Sequence, residues 1–361
     1  MTARGWMSIG AFLILTLAGC GPTAKEKKVI EGLTANMKTV CVGRFVMDVP
    51  RDMKVLGRVE LSFGLDESFN TVDVEIESLD STIEAMRAKA STEAERIKSD
   101  QNWSTKKSML LDYQVIDDRT IYLRQYDDIG SPSASKHALL VLVGSTQLRL
   151  TAESYEGVPD AGRYEPGGVT ELPEQVAARM LKVAKQIRSY DDAEKAGPGF
   201  CLGPVVIDSN QDEEHADIDY MMDRHPDLLL NVYNKALLPD QPDELLAKRV
   251  RIADGRSDMH MLRNRDTTLG GMEAHEAVVR MTDEHDNMLL RFVAESMRAR
   301  PALSRPYLSI NLGTGGRLGT GDYVSSSLTP NEGIGLWDAI VKSIRLRPNA
   351  VRADQPTASA K

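Results

Sequence analysis

Ser133 and Lys136 are the first candidates for covalent chemistry, because they have the Ser-x-x-Lys spacing of penicillin-recognising enzymes. The spacing lies in a Ser- and Pro-rich stretch, and the sequence has no Lys-Thr-Gly partner motif. It also has no Gly-x-Ser-x-Gly elbow, the strained turn on which α/β-hydrolases expose a serine nucleophile. These residues therefore predict a turn and no serine-hydrolase site.

Histidines beside carboxylates are the next candidates, since imidazole and carboxylate together suit zinc. His275 lies between Glu273 and Glu276, and His285 has acidic residues on both sides. No His-Glu-x-x-His motif occurs, and the segment around His285 is typical of a hairpin turn. We predict solvated side chains and neither a metal nor another cofactor. A zinc hydrolase that uses His275 and His285 is the alternative.

The segment Gly313–Gly321 contains five glycines and follows a predicted strand, Tyr307–Leu312. Phosphate-binding loops have a similar position, but this one lacks the Gly-Lys-Ser/Thr ending and no amphipathic helix starts directly after it. We predict a flexible exposed loop. Such loops often carry binding function on a rigid scaffold.

The N-terminal residues predict an exported lipoprotein. Arg4 precedes an apolar run from Trp6 to Ala18, which fits a secretory signal and is too short to span a membrane. The Leu-Ala-Gly-Cys sequence that ends at Cys20 resembles a lipobox, in which the peptidase cuts after Gly19 and the cysteine thiol carries lipid. An ordinary signal peptide with a chance cysteine is the alternative.

The lipobox divides the N-terminus into a signal peptide, residues 1–19, and a mature chain that begins at Cys20. Residue 21 is glycine and not aspartate, which implies sorting to the outer membrane of a Gram-negative cell. More than one lipid chain gives stable anchoring. Residues 20–37 are polar and charged, which predicts a lipidated tether.

The charge balance excludes some partners. The chain has a formal net charge of −9, and removing residues 1–19 deletes Arg4 and no acidic residue, which leaves −10. Nucleic-acid recognition needs a basic face, so nucleic acid is not expected. Adsorption of the body to anionic lipid is not expected either, and membrane contact is predicted through the N-terminal lipid only.

Two cysteines remain after Cys20 is lipidated. Cys41 and Cys201 lie in an oxidising compartment, where they either pair as a disulfide or are buried separately as small apolar side chains. Two cysteines so far apart in sequence do not make a metal site unaided.

The body of the chain repeats itself. Similar segments recur in the same order, with offsets that differ by loop-sized amounts, which predicts two copies of one domain. The matches are 41–48 with 201–208 at offset 160, 148–154 with 290–296 at offset 142, and the Pro173–Arg188 segment with the Pro330–Arg345 segment at offset 157.

The repeats set the predicted domains at residues 38–192 and 197–347, joined by a short charged and Gly/Pro-containing linker. Two similar domains on such a linker can close around a partner from two sides, and linked engagement raises avidity. Residues 348–361 are predicted to be a disordered tail.

Hydrophobic periodicity predicts an α+β fold for each copy, an antiparallel sheet with two helices packed on one face. In the first copy the predicted strands are 45–49, 71–77, 109–116, 119–126, 138–143 and 147–154, and the helices cover 81–99 and the segment from Pro173. The apolar stripe predicted to face the core contains Val176, Met180, Val183 and Ile187, matched by Trp337, Ile340 and Ile344.

The segment Lys38–Pro50 contains the pattern Cys-x-Gly-Arg-aromatic-x-x-Asp-x-Pro. It resembles the N-terminal half of the immunity lipoproteins that neutralise lipase effectors of type VI secretion, and the second copy, from Phe200, is similar to that family's C-terminal half. The second copy departs from the pattern, with Pro204 and Ser209-Asn210 in place of Arg44 and Val49-Pro50.

The resemblance implies a periplasmic binder, not an enzyme, that is monomeric when free. It would grip a cognate phospholipase effector and block its lid movement or its active-site entrance. Contacts are predicted on two loops, at Asp127, Asp128, Ser131, Ser133, Gly315, Gly316, Arg317 and Gly319. An envelope-assembly or lipid-carrier lipoprotein with an apolar cavity is the alternative from another class.

Overall fold

The fold is taken from a computed structural model, which describes residues 21–62, 71–157, 171–208, 213–236, 258–297 and 302–352. The predicted signal peptide and Cys20 lie outside the described residues, as do residues 353–361. The architecture is mostly antiparallel sheet, with few helices.

Four α-helices lie in the described part of the chain: α1 (Ala24–Thr34), α2 (Ile83–Ser99), α3 (Pro173–Lys185) and α4 (Pro330–Ser343). The Thr82 side chain caps α2 by accepting a hydrogen bond from the Ala85 backbone N–H. The first-copy strands are β1 (Met37–Gly43), β2 (Phe45–Pro50), β3 (Met53–Ser62), β4 (Thr71–Ser78), β5 (Leu110–Asp117), β6 (Thr120–Tyr126), β7 (Ala134–Val143), β8 (Thr146–Tyr155) and β9 (Ile187–Ser189).

The second copy contributes eleven further strands in the described residues. They are β10 (Phe200–Leu202), β11 (Val205–Ile207), β12 (Glu213–Met222), β13 (His225–Lys235), β14 (Met259–Leu269), β15 (Met272–Thr282), β16 (Met288–Ser296), β17 (Tyr307–Thr314), β18 (Gly316–Arg317), β19 (Tyr323–Val324) and β20 (Arg345–Leu346).

Twelve strands form one continuous sheet through both copies, in the order β14-β15-β16-β17-β13-β12-β3-β4-β8-β7-β6-β5. The copies join where β3 pairs antiparallel with β12, in a register that matches Met53 with Met222 and Ser62 with Glu213. Adding 160 to the residue in β3 and subtracting 160 from its partner in β12 converts the first of these pairs into the second, so the central strand pair has two-fold symmetry. The repeats therefore associate as the subunits of an isologous dimer do.

A smaller six-stranded sheet, in the order β20-β2-β1-β10-β11-β9, packs on the inner face of the large sheet. Its short outer strands are exchanged between copies: β9 of the first copy pairs with β11 of the second, and β20 of the second pairs with β2 of the first. The exchange fuses the two copies. The predicted linker joins β9 to β10, two strands of this same sheet, and closing of the two copies around a partner stays a prediction.

A disulfide and a buried ion pair cross the junction between the copies. Cys41 and Cys201 form a disulfide, with their Cα atoms 5.7 Å apart. Arg44 and Glu214 form an ion pair in which both side chains are almost fully buried, and the Arg44 Nε donates to a Glu214 carboxylate oxygen at 2.8 Å. Position 204, the counterpart of Arg44, is proline, so this ion pair has no symmetry mate.

The helices of the first copy lie on opposite faces of the large sheet, and the prediction of both on one face is wrong. The buried side chains of α2, including Met86 and Ala90, pack with Leu140 and Leu142 on the outer face. Those of α3 pack with Leu139 and the other inner-face residues. Successive residues of one strand point to opposite faces, so a strand that is apolar throughout can hold a helix on each side. The predicted core stripe of α3 and α4 is buried.

One of the three repeat matches is wrong. Counted outward from the central pair, β8 occupies the same place as β17, and β7 the same place as β16. The match at offset 142 aligned β8 with β16, which are not equivalent. The other two matches stand, because they align β1–β2 with β10–β11 and α3 with α4.

Two segments predicted to lack structure are partly ordered. Residues 24–34 of the predicted tether form α1, which packs against α4. In the predicted tail, Ala350 is buried and its carbonyl accepts a hydrogen bond from the Arg44 guanidinium. Arg352 also pairs with Asp208 at 2.6 Å. Polar composition gave no sign of these tertiary contacts.

Candidate partner-binding surface

The predicted contact residues do not form one surface. The loop after β6, residues 127–133, and the glycine-rich segment after β17 lie in different halves of the large sheet and at opposite ends of their strands, as the strand registers require. Six strand spacings separate β17 from β7, roughly 29 Å across the sheet. A single contact patch therefore contains one of these loops.

The loop after β6 lies beside the most exposed aromatic side chain of the described residues, Trp103, which is 65% exposed. Trp103 follows α2, and its backbone N–H donates to the Ile129 carbonyl at 2.7 Å. Ile129 is itself exposed. Asp127 and Asp128 adjoin it and are exposed. We call these four residues the Trp103 tip.

Asn102 holds the two loops of the tip together from a fully buried position. Its Nδ2 donates to the carbonyls of Asp128 at 3.1 Å and Ser131 at 3.0 Å. Its Oδ1 accepts from the backbone N–H groups of Ser104 at 3.1 Å and Thr105 at 2.9 Å. The hydrogen bonds of the Asn102 side chain thus take the place of backbone–backbone hydrogen bonds that neither loop makes by itself. As a result, Trp103 is presented on an ordered turn.

The charges at the tip are mixed. Asp127 forms an ion pair with Lys136, and the Asp127 carboxylate raises the pKa of that lysine. Burial, followed by the nearby charge of Asp127, raises the pKa of the Glu153 carboxyl. The tip therefore offers an aromatic and an aliphatic side chain within a polar rim, the composition that binding hot spots favour.

Ser133, one of the predicted contact residues, is buried under this loop and cannot meet a partner. Its hydroxyl lies 2.9 Å from the Ser131 hydroxyl. Ser133 lies in the bend directly before β7, and Lys136 lies in β7 and forms an ion pair with Asp127. The serine pattern is therefore part of the scaffold.

The glycine-rich segment is a hydrogen-bonded hairpin, β18 and β19, and not the predicted flexible loop. Gly315 has a φ of +74°, and a Cβ there would lie 2.7 Å from the Ser326 backbone nitrogen, so only glycine fits. Its N–H donates to the Asp227 carboxylate at 2.9 Å. Arg317 and Gly319 are exposed, and the Arg317 guanidinium lies 6.0 Å from the centre of the Tyr323 ring.

Sequence patterns missed Trp103 because no periodicity marks an isolated aromatic in a turn. The available signal was local: a tryptophan stands within the polar run Asn102–Thr105 directly after a helix. A large apolar side chain among turn-forming residues has no core to enter, so it is a candidate for surface contact.

A serine–histidine arrangement that the sequence did not reveal lies inside the first copy. The His137 Nε2 is 2.7 Å from the Ser154 hydroxyl, and its Nδ1 is 2.7 Å from the Tyr122 hydroxyl. Ser135 donates to Glu156 at 2.6 Å. Ser135, His137 and Ser154 are buried, and burial lowers the pKa of His137 to about 3. No substrate reaches these atoms, so the network is structural.

The two histidines of the zinc alternative are not brought together. His275 lies in β15 and bonds Asp266 at 3.0 Å and Asn264 at 2.6 Å. About seven residues of strand, roughly 23 Å, separate it from the turn that holds His285. In the described ranges, no group of three or more His, Cys, Asp or Glu side chains is placed to hold a metal ion.

The lipid-carrier alternative requires an enclosed apolar cavity. A cleft of about 660 Å³ lies between the β5–β6 turn and the C-terminal end of α3. It opens to solvent and includes the charged side chains of Asp117, Arg119 and Lys185.

None of the helices in the described part of the chain is long and apolar enough to cross a membrane.

Two family models match the chain in tandem. The model of the Tle cognate immunity protein 4 N-terminal domain matches residues 38–189, and that of the C-terminal domain matches residues 195–349. No curated protein matches the chain.

Solved structures share the fold over the length of both copies. One is the apo immunity protein TplEi of the T6SS of Pseudomonas aeruginosa, at 20% identity and a TM-score of 0.62, covering 87% of this chain and 98% of that one. Another is described as the Tle4-Tli4 complex, at 19% identity and a TM-score of 0.63, covering 88% and 99%. TplEi complexed with "L" peptide is also similar, at 20% identity and a TM-score of 0.56, covering 87% and 99%.

Proposed function

This chain belongs to the Tle cognate immunity protein 4 family, whose two domain models match it in tandem, and we propose its function on that basis. It binds a cognate phospholipase effector of type VI secretion and blocks that enzyme, so that the producing cell is not poisoned by its own toxin. The tandem match over both copies is the observation that carries this conclusion.

The fused architecture supports inhibition by occlusion. Strand exchange and the junction links hold both copies as one preformed body, so little conformational entropy is lost when a partner binds. Such a body obstructs the lid or the active-site entrance of the lipase without any chemistry of its own. An immunity protein must bind tightly, and a nanomolar complex corresponds to about −12 kcal/mol.

The compartment and the anchor are part of the proposal. We propose that Cys20 carries lipid and that Gly21 leads to sorting to the outer membrane, where the periplasmic body would meet an incoming lipase. Two or more acyl chains give stable anchoring.

The function is tested with the cognate phospholipase effector, which is sought among the products of the neighbouring genes. The mature chain is mixed with that lipase at micromolar concentration, and both complex formation and phospholipid hydrolysis are measured. We expect a stoichiometric complex and loss of hydrolysis. The absence of a complex at micromolar concentration would overturn the proposal.

The Trp103 tip is the proposed contact, and Trp103→Ala is its test. Because a rigid, exposed tryptophan is a typical hot spot, we expect an affinity loss of at least 2 kcal/mol, about 30-fold, with unchanged thermal stability. Tyr323→Ala, which removes an exposed aromatic from the other half of the sheet, is the matched control. Equal effects of the two variants would exclude a contact centred on Trp103.

A further inference from the structure

Helix α1 is fixed to the body by contacts that its polar sequence does not suggest. The Glu26 carboxylate accepts from its own cap residue, the Thr23 backbone N–H at 2.7 Å, and from the Thr329 hydroxyl at 2.8 Å. The Asn331 amide adds a third bond at 3.2 Å. These donors lower the pKa of Glu26 to about 2. One carboxylate thus joins the N-termini of α1 and α4.

Apolar packing continues the contact along the helix. Ile30 lies over Gly335 of α4, where an added Cβ would come within 2.7 Å of the isoleucine side chain. Leu33 is buried one turn further on. Residues 26, 30 and 33 share one helix face, so α1 is docked by one side and is not a free spacer.

Docking of α1 brings the lipid attachment point close to the body. Four peptide steps join Cys20 to Ala24, the first residue of α1. They span at most about 14 Å. If Cys20 carries lipid, the N-terminal end of α1 is confined to that distance from the bilayer surface.

The side chains at this end are basic and exposed. Lys25, Lys27 and Lys28 lie in the first turns of α1, all exposed to solvent. None of them forms a salt bridge with another described residue. Glu26, the acidic residue among them, is turned inward to α4. The local charge is therefore positive although the whole chain is acidic.

We propose that the N-terminal end of α1 is a membrane-contact surface, where Lys25, Lys27 and Lys28 bind anionic lipid headgroups beside lipidated Cys20. The surface orients the body on the membrane instead of letting it swing on a tether. Each basic residue near an anionic surface raises membrane affinity about fivefold. The inference rests on the lipidation at Cys20 proposed above and differs from the expectation that lipid alone contacts the membrane.

The test uses the mature chain beginning at Cys20, with its thiol alkylated by a single fourteen-carbon chain. One such chain binds membranes only marginally, so added headgroup contacts become measurable. Binding is compared on vesicles of phosphatidylcholine and on vesicles containing 30% phosphatidylglycerol. We expect at least tenfold tighter binding to the anionic vesicles. Lys25→Gln/Lys27→Gln/Lys28→Gln should abolish the difference.

Lys106→Gln/Lys107→Gln, in the turn after Trp103, is the matched control and should keep the preference. Equal loss in the control variant, or no preference in the unaltered chain, would overturn the proposal. Gly335→Val adds a second measurement: it displaces Ile30, so a fluorophore on α4 should lose its fixed distance to the bilayer. Lipase binding in detergent is measured in parallel, because it must survive all these changes if the proposed function is right.

Discussion

The junction between the two copies is symmetric, whereas their outer loops are not. At the junction the copies are related by a two-fold axis: β3 pairs with β12 and β1 with β10 in symmetric registers, and Cys41 joins its own counterpart Cys201. The outer loops depart from this symmetry where both copies are described: residues 127–133 join β6 to β7, whereas only residues 283–287 join the counterpart strands β15 and β16. The copies therefore agree at the junction and differ in this outer loop.

Arg44 brings an asymmetric contact into the symmetric junction. Its counterpart is Pro204, so the junction itself contains one asymmetric element, the buried pair with Glu214. Burying two charges is costly unless they are paired and hydrogen bonded. Here the guanidinium bonds both carboxylate oxygens and the Ala350 carbonyl, which satisfies it. The pair therefore makes the two sides of an otherwise symmetric junction different.

The largest expected effect comes from breaking this pair. Glu214→Ala leaves Arg44 charged and buried without its partner, and we expect a loss of about 3–5 kcal/mol in the free energy of unfolding. Urea denaturation followed by circular dichroism measures it. The double variant Arg44→Met/Glu214→Leu is the control and should recover most of the loss, because an apolar pair of similar volume needs no partner. A loss below about 1 kcal/mol for the single variant would contradict this reading.

The disulfide is expected to contribute less. Cys41→Ala/Cys201→Ala removes a link between residues 160 apart, and we expect a destabilisation of about 2–4 kcal/mol. Strand exchange remains, so the copies should stay together and lipase binding should persist. Unfolding of the oxidised and double-alanine proteins is compared by urea titration. Loss of lipase binding without unfolding would show that the disulfide, and not strand exchange, holds the junction.

A third effect depends on pH and lies within the first copy. The pKa of His137 is lowered to about 3 by burial, whereas an unfolded histidine titrates near 6.5. Between these values the unfolded chain binds a proton that the folded chain does not, so stability falls as pH decreases from 6.5 toward 3. The slope is about 1.4 kcal/mol per pH unit, or about 2 kcal/mol at pH 5.

Unfolding free energies of the unaltered protein and of His137→Gln, measured between pH 7.5 and pH 5, check this effect. The variant should show the shallower decline, since glutamine keeps hydrogen-bonding capacity and does not titrate. The exposed His285 provides the control, and His285→Gln should reproduce the unaltered slope. Identical slopes in all three proteins would remove His137 as the cause.

The smallest expected effect is on lipase affinity and comes from a substitution in the glycine hairpin. Arg317→Ala removes an exposed cation from the glycine hairpin, which lies in the other half of the sheet from the Trp103 tip. We expect lipase affinity to change by less than about 0.5 kcal/mol, as for most interface-remote surface substitutions. Isothermal titration against the lipase is the measurement. A loss comparable to that of Trp103→Ala would mean that the lipase spans both halves.

The sequence was most informative where the physics is local. Alternation over 71–77 predicted β4, and the stripe at Val176, Met180 and Val183 predicted a buried helix face. Asp127 and Asp128 were correctly placed on an exposed loop. Ser133 was placed wrongly, because a polar residue in a loop looks exposed until the neighbouring turn, held by Asn102, covers it.

Sequence alone determined that the chain is a duplicated, mostly antiparallel protein, since repeats and periodicity can be recognised in short segments of the chain. The exported, lipid-carrying N-terminus stays a prediction. Tertiary structure decided that the copies share their sheets, that α2 and α3 lie on opposite faces, and that α1 docks on α4. The shared large sheet and the docking of α1 depend on contacts between residues more than 150 positions apart, and the faces taken by α2 and α3 depend on contacts between residues tens of positions apart. No local pattern specifies such partners, because each strand edge and helix face can satisfy the same hydrogen bonds and bury the same area in several ways.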